Sequence, residues 1–279
     1  MRARILFAAS PEWCRLSARL EGLVDSRQFE CIKANGRTRA GFLRCGEHQA
    51  FVKRVDSAGY ARGLMTRLFG SRGHRALRGA RILAAAGFAH PRPVLIVQTL
   101  NAGSIRASYV VAEPLRTALV LSRFALGRAR PPILRRRVSQ LVGAEIRRLH
   151  AAGIYTRDLQ ETNLMIEERD AQLMLYFVDF EDFRQVRAVS FEQRMRNLVH
   201  LDRSVGRFAS RAQRLRFFYD YLGRRPAREE ARRLVRQYAA VRARVERRHR
   251  RHPSAAVGRE VFARSGTQTG LGEASASKE

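Results

Sequence analysis

Apolar residues recur along this chain with two periods, and the points where one gives way to the other mark its elements. Ile5 to Ala8 forms a short apolar run, and Trp13 to Leu23 has helical spacing. From Phe29 onward strand signals dominate: Phe29 to Ile32, Phe42 to Cys45 and Ala50 to Val55, separated by turns at Asn35–Gly41 and Gly46–His48. Leu77, Ala80, Ile82, Leu83 and Ala86 predict a helix over about 75–86, ended by Gly87. After Pro91 and Pro93, Val94 to Val97 reads as a strand, and Tyr109 to Leu115 as another. Ile133, Leu134, Val138, Leu141, Val142, Ile146 and Leu149 share one face of a helix over 131–150. Ile154-Tyr155 and two further apolar strands follow, Leu164 to Ile166 and Leu173 to Val178, the latter pair around a charged turn at Glu167–Asp170 that is expected to be solvated. Amphipathic helices at Phe191–Leu201, Arg214–Leu222 and Ala227–Val245 complete the pattern, with Pro226 just ahead of the last. Ser254 to Glu279 is rich in Gly, Ser, Ala and Thr and is expected to be disordered. There is no internal repeat.

The polar residues that interrupt this pattern between His150 and Phe183 carry chemistry. Thr156-Arg157-Asp158-Leu159 is followed by Asn163, then, beyond two apolar strands, by Val178-Asp179-Phe180. The spacing is close to the protein-kinase pattern H-R-D-L-x-x-x-N followed by D-F-G. Such chemistry needs a carboxylate to accept the proton of an incoming hydroxyl, which is Asp158 here. It also needs an amide and a second carboxylate, Asn163 and Asp179, to hold the Mg²⁺ that bridges the phosphates of ATP. Upstream, Lys53 ends an Ala-Phe-Val-Lys run that parallels the V-A-I-K strand, where a compact ammonium meets the α- and β-phosphates. Gly36 and Gly41 are assigned to the first turn, where backbone must approach phosphate closely. Backbone just after Glu113, at the expected hinge, would meet the adenine. His150 is read as a buried, hydrogen-bonded structural residue.

The run from Leu149 to Leu159, with Asn163 and Val178-Asp179-Phe180, resembles the Kdo/heptose lipopolysaccharide kinases. The likeness spans about 29–247. It implies an α+β, protein-kinase-like bilobal fold, with an antiparallel sheet and a helix in the N-lobe (1–115), a mainly helical C-lobe (116–253) and a tail (254–279). It also implies an ATP- and Mg²⁺-dependent kinase that phosphorylates a sugar hydroxyl of the lipopolysaccharide inner core. The partners would be an anionic glycolipid, lipid A bearing Kdo or heptose, and the cytoplasmic membrane surface, to which the protein would be peripheral.

Charge sharpens that expectation. The 279 residues carry a formal net charge of +29, and of 54 basic residues only Lys33, Lys53 and Lys278 are lysines. Such a field attracts anions: lipid headgroups, phosphorylated sugars or nucleic acid, of which nucleic acid is the least expected. No apolar run approaches the ~18 residues of a membrane span, and the apolar stretch in MRARILFAAS is too short for a secretory signal. It is read as the first strand of a cytosolic protein. Cys14, Cys31 and Cys45 have no metal-ligand spacing and suit a reducing compartment.

Two departures bear on activity. No acid occurs between Asp56 and Glu113, so the helix that should pair a glutamate with Lys53 has none; in register with the pattern of the family it resembles, the acidic position falls near Ala76. Either another acid reaches Lys53 or the pairing is absent. Glu181 replaces the Gly of D-F-G, adding a carboxylate suited to binding or orienting a second metal. The alternatives are a kinase of the same fold with a protein or small-molecule acceptor, and an inactive basic module that binds anionic membrane or nucleic acid. The missing helix glutamate favours the module; the intact Asp158, Asn163 and Asp179 disfavour it.

Overall fold

The computed structural model describes residues 2–46, 48–57, 70–101, 104–129, 131–206 and 208–251. The expected tail at 254–279 lies outside them, as does 62–69 of a basic stretch that the sequence also marks as a loop over 62–74. Six antiparallel strands form one sheet: β1 (Arg2–Ala8), β2 (Phe29–Asn35), β3 (Thr38–Cys45), β4 (His48–Asp56), β5 (Pro93–Asn101) and β6 (Ser104–Ala112), in the order β1-β5-β6-β4-β3-β2. The tight turns read from the sequence make β2, β3 and β4 consecutive neighbours, in a register that sets Lys53 between Ala40 and Val110.

The predicted helix over Trp13–Leu23 is two shorter ones, α1 (Pro11–Ser17) and α2 (Leu20–Val24). Ser10 caps α1 by accepting the Trp13 N–H, and the break lets Leu20, Leu23 and Val24 bury beside Phe29, Leu43, Val52 and Tyr109 in a small core of their own. Arg54 ties α2 to β4 through Glu21 and Asp25, and also pairs with Asp56 of its own strand.

The predicted helix over 75–86 is α3 (Arg72–Ala85), begun three residues earlier because the Ser71 hydroxyl accepts the His74 N–H and caps it. Its apolar face joins a larger core that also takes side chains from α4 (Pro132–Ala151), α5 (Phe191–Val205), α6 (Arg211–Leu222) and α7 (Arg228–Arg251). The three-residue strand β8 (Ile154–Thr156), then β9 (Leu164–Arg169), β10 (Gln172–Phe177) and β11 (Phe183–Gln185), lie between α4 and α5. One short strand escaped the sequence: β7 (Leu119–Val120) pairs with β9, leading into a helical turn that widens to π geometry over Phe124–Arg128.

The charged turn after β9 corrects an expectation. Asp170 and Ala171 adopt left-handed φ and close the β9–β10 hairpin in solvent, but Glu167 is buried. Its carboxylate accepts from Thr117, from Tyr176 (2.8 Å) and from Arg169 (3.2 Å), and these bonds, chiefly those from Thr117 and Tyr176, hold its pKa below the ordinary value. The residue therefore fastens the segment after β6 to the β9–β10 hairpin. Cys14, Cys31 and Cys45 are free thiols.

Candidate active site

The loop after β8 is held from beneath. Gly153, at φ +73°, lets the chain leave α4, and Thr156 pairs with Phe183 of β11. The fully buried His150 contacts the Tyr221 hydroxyl through Nδ1 (2.9 Å) and the Asn197 Oδ1 through Nε2 (3.0 Å), while the Asn197 amide donates to the Thr156 carbonyl. That chain is satisfied by neutral imidazole with its proton on Nε2. Burial pushes the His150 pKa down; the Asn197 bond opposes this, Arg194 adds to it, and the result is about 4 against an ordinary 6.5. The unfolded chain thus takes up a proton near pH 6.5 and the folded chain only near 4. This contribution is complete above the upper value and is lost as pH falls between the two, by about 3 kcal/mol in total. Denaturant midpoints measured from pH 7.5 to 4 should show that decline, and His150→Gln should flatten it; an unchanged slope in the variant would contradict the assignment.

The Thr156 hydroxyl accepts the Asp158 N–H at 3.3 Å. Asn163 closes the 3₁₀ turn Glu161–Asn163 and donates through Nδ2 to the Asp158 carbonyl (2.9 Å) and to its Oδ2 (3.2 Å), while Gln160 donates to Oδ1. Ser204 of α5 fixes the turn by accepting the Glu161 N–H at 3.0 Å. The Val178 N–H donates to the Asn163 carbonyl at 3.0 Å, so Asp179 stands directly beside the catalytic turn. Asp179 has φ 57° and ψ 56°, a left-handed conformation that Asp tolerates better than most residues. Its carboxylate meets the Lys53 ammonium of β4 at 2.6 Å, and Glu181 meets the same ammonium at 3.0 Å.

The four polar residues read from the catalytic and lysine motifs, Lys53, Asp158, Asn163 and Asp179, are thereby brought together. Desolvation works against charge on both Lys53 and Asp179. Their mutual attraction outweighs it, with Glu181 adding to the effect on the lysine, so the Lys53 pKa is raised and that of Asp179 lowered. Asp179 and Asn163 offer a carboxylate and an amide oxygen. This donor set suits Mg²⁺, which takes its remaining oxygens from water and substrate phosphates.

The other predicted positions divide. Gly36 stands at the β2–β3 turn with open space around it, whereas Gly41 lies within β3 and is not part of the turn. A Cβ at Gly41 would come within 2.0 Å of the Glu30 carbonyl oxygen, so cross-strand approach is what demands glycine there. Glu113 is exposed, and its N–H is already used, donating to the Arg92 carbonyl at 2.9 Å.

Glu181 is a buried acid among cations: Lys53, Arg72 at 3.4 Å and Arg75 at 4.0 Å. Of the two possibilities for Lys53, another acid reaches it. The signal was present in the sequence as an acid-free stretch from 57 to 112 combined with an unusual acid two residues after Asp179.

An antiparallel sheet with a helix packed on it, and a loop on which Asp158 and Asn163 adjoin the Lys53–Asp179 pair from β4 and the end of β10, match the layout of a protein-kinase-like phosphotransferase. The profile of the lipopolysaccharide kinase (Kdo/WaaP) family matches residues 47–221, and this chain belongs to that family. The match contains Lys53, Asp158, Asn163, Asp179 and Glu181. Among solved structures, WaaP in complex with acyl carrier protein is similar in fold, at 22% sequence identity and a TM-score of 0.62, over 88% of this chain and 99% of that one. No curated protein matches the sequence.

Proposed function

We propose that this protein transfers the γ-phosphoryl group of ATP to a sugar hydroxyl of the lipopolysaccharide inner core, on Kdo or heptose. The observation that carries this reading is the Lys53–Asp179 ion pair set beside the turn on which Asn163 binds Asp158. Asp158 receives the proton of the acceptor hydroxyl, its carboxylate oriented by Asn163 and Gln160. Lys53 meets the α- and β-phosphates, while Asn163 and Asp179 hold Mg²⁺, which supplies charge neutralisation at the phosphates. The turn at Gly36 covers the phosphates, and the segment after Glu113 receives the adenine. On this reading residues 1–115 and 116–253 are the two lobes. Little covalent work falls to the protein; positioning and electrostatics carry the rate.

The arginines supply acceptor recognition, since Kdo carboxylates and lipid A phosphates match guanidinium forks. Incubation with Mg-ATP and a lipid A–Kdo acceptor should add one phosphate to the acceptor by mass spectrometry. Absence of transfer across Kdo, heptose and protein acceptors would overturn the proposal. The competing reading, an inactive basic module, drew its support from the missing helix glutamate. The Lys53–Glu181 pair removes that support.

The acceptor class places the enzyme on the cytoplasmic face of the membrane as a peripheral protein. No described helix is long and apolar enough to cross a membrane, so attraction of the +29 charge to anionic lipid is the expected mode of binding. In co-sedimentation the protein should bind anionic vesicles at low ionic strength and leave them as salt approaches about 0.5 M, where the Debye length falls to a few ångströms. Binding that ignores salt would point to an apolar anchor instead.

A further inference from the structure

We infer that Glu181 is the positioning residue of Lys53, performing from the metal-binding loop the task that protein kinases assign to a helix glutamate, and that α3 serves it with arginines. The inference rests on the kinase reading above.

Two carboxylates hold the Lys53 ammonium, and their surroundings divide the work. The Asp179 side chain is 39% exposed, whereas that of Glu181 is only 7% exposed. A metal carrying phosphates can be approached by the exposed carboxylate and not by the buried one. Charge gives the same division. One oxygen of Glu181 faces Lys53 and the other faces Arg72 and Arg75, so its charge is already shared among three cations. Asp179 is therefore the group released to the metal when nucleotide arrives, and Glu181 the group that keeps the lysine in place.

The helix explains why the acid had to move. Ala76, where an acid would stand, is fully enclosed in the core. One turn further, a Cβ on Gly79 would sit 1.8 Å from the Phe180 carbonyl oxygen, so helix and loop approach more closely there than any side chain permits. Phe180 is buried in the same core as Ala76 and Ala80. In this packing α3 presents Arg72 and Arg75 toward the loop, and the acid comes from the loop. The consequence is mechanical. The lysine's partner lies two residues from the metal-binding carboxylate, so lysine register and metal loop move together.

The test compares the parent protein with Glu181→Gln and Glu181→Asp. It measures direct binding of a fluorescent ATP analogue with Mg²⁺, turnover of ATP to water and to a lipid A–Kdo acceptor, and thermal melting. Glu181→Gln keeps the volume and should stay folded. Its kcat should fall about 10²-fold, the scale of a misplaced reacting group, with nucleotide affinity changed only a few-fold, and Glu181→Asp should recover part of the loss. Kinetics of Glu181→Gln within twofold of the parent would overturn the inference. So would a loss that high Mg²⁺ restores, since Glu181 would then be a metal ligand, or a loss that merely follows the fraction of unfolded protein. A parent protein that neither binds nor turns over Mg-ATP would instead overturn the kinase reading itself.

Discussion

Asp158→Ala should lose acceptor phosphorylation by about 10²–10⁴-fold in kcat, the range expected when a general base is removed, while affinity for Mg-ATP stays within a few-fold of the parent. On the proposed function the carboxylate receives the proton of the acceptor hydroxyl, whereas Lys53, Asn163 and Asp179 hold the nucleotide. The catalytic loop should survive the substitution. Asn163 donates to the backbone carbonyl of residue 158 at 2.9 Å as well as to the carboxylate, and the 158 N–H still reaches Thr156. Steady-state kinetics with a lipid A–Kdo acceptor, run beside a nucleotide titration, would separate the two effects. Parent-like turnover would remove Asp158 from the role of base. Equal loss of turnover and nucleotide affinity would show that the loop had collapsed.

Asp179→Asn should have the other large effect, with transfer lowered at least about 10²-fold, the scale of losing a main electrostatic stabiliser, and Mg²⁺-dependent strengthening of nucleotide binding lost. The backbone should tolerate it, because the residue sits at φ 57° and Asn is among the few residues that adopt the left-handed region readily. The amide keeps an oxygen for the Lys53 ammonium but no charge, and Glu181 still holds the lysine at 3.0 Å. The variant should therefore melt near the parent temperature yet show no benefit from added Mg²⁺. Undiminished activity would sink the metal role of Asp179, and a collapsed melting temperature would mean that the carboxylate serves the fold.

Much of this site was legible in the chain because its groups lie on short elements with strong local signals. Asp158 and Asn163 are five residues apart on one turn, and Asp179 follows a hairpin whose apolar strands can bury in only one way, so sequence distance nearly fixes spatial distance. Lys53 was legible for a different reason, as a compact cation closing an Ala-Phe-Val-Lys run in a chain that otherwise uses arginine almost throughout. Gly41 was placed in the wrong context. A glycine near a turn suggests phosphate approach, and only strand register showed that the neighbouring carbonyl of Glu30 is what requires it.

The charged residues were least legible singly. Glu167 and Glu168 are adjacent in the sequence, yet one is buried under three donors and the other is exposed, because alternation along β9 and the placement of Thr117 and Tyr176 decide between them. The sequence by itself determined the order of strands and helices, the catalytic spacing and the lack of an acid on α3, since these depend on periodicity and near neighbours. Which acid answers Lys53 was decided only by the tertiary structure. Residues 53 and 181 are brought within 3.0 Å by the packing of α3 on the metal loop. That packing depends on a close backbone approach at Gly79 and on an ion cluster drawn from three separate elements, and neither leaves a local pattern in the chain.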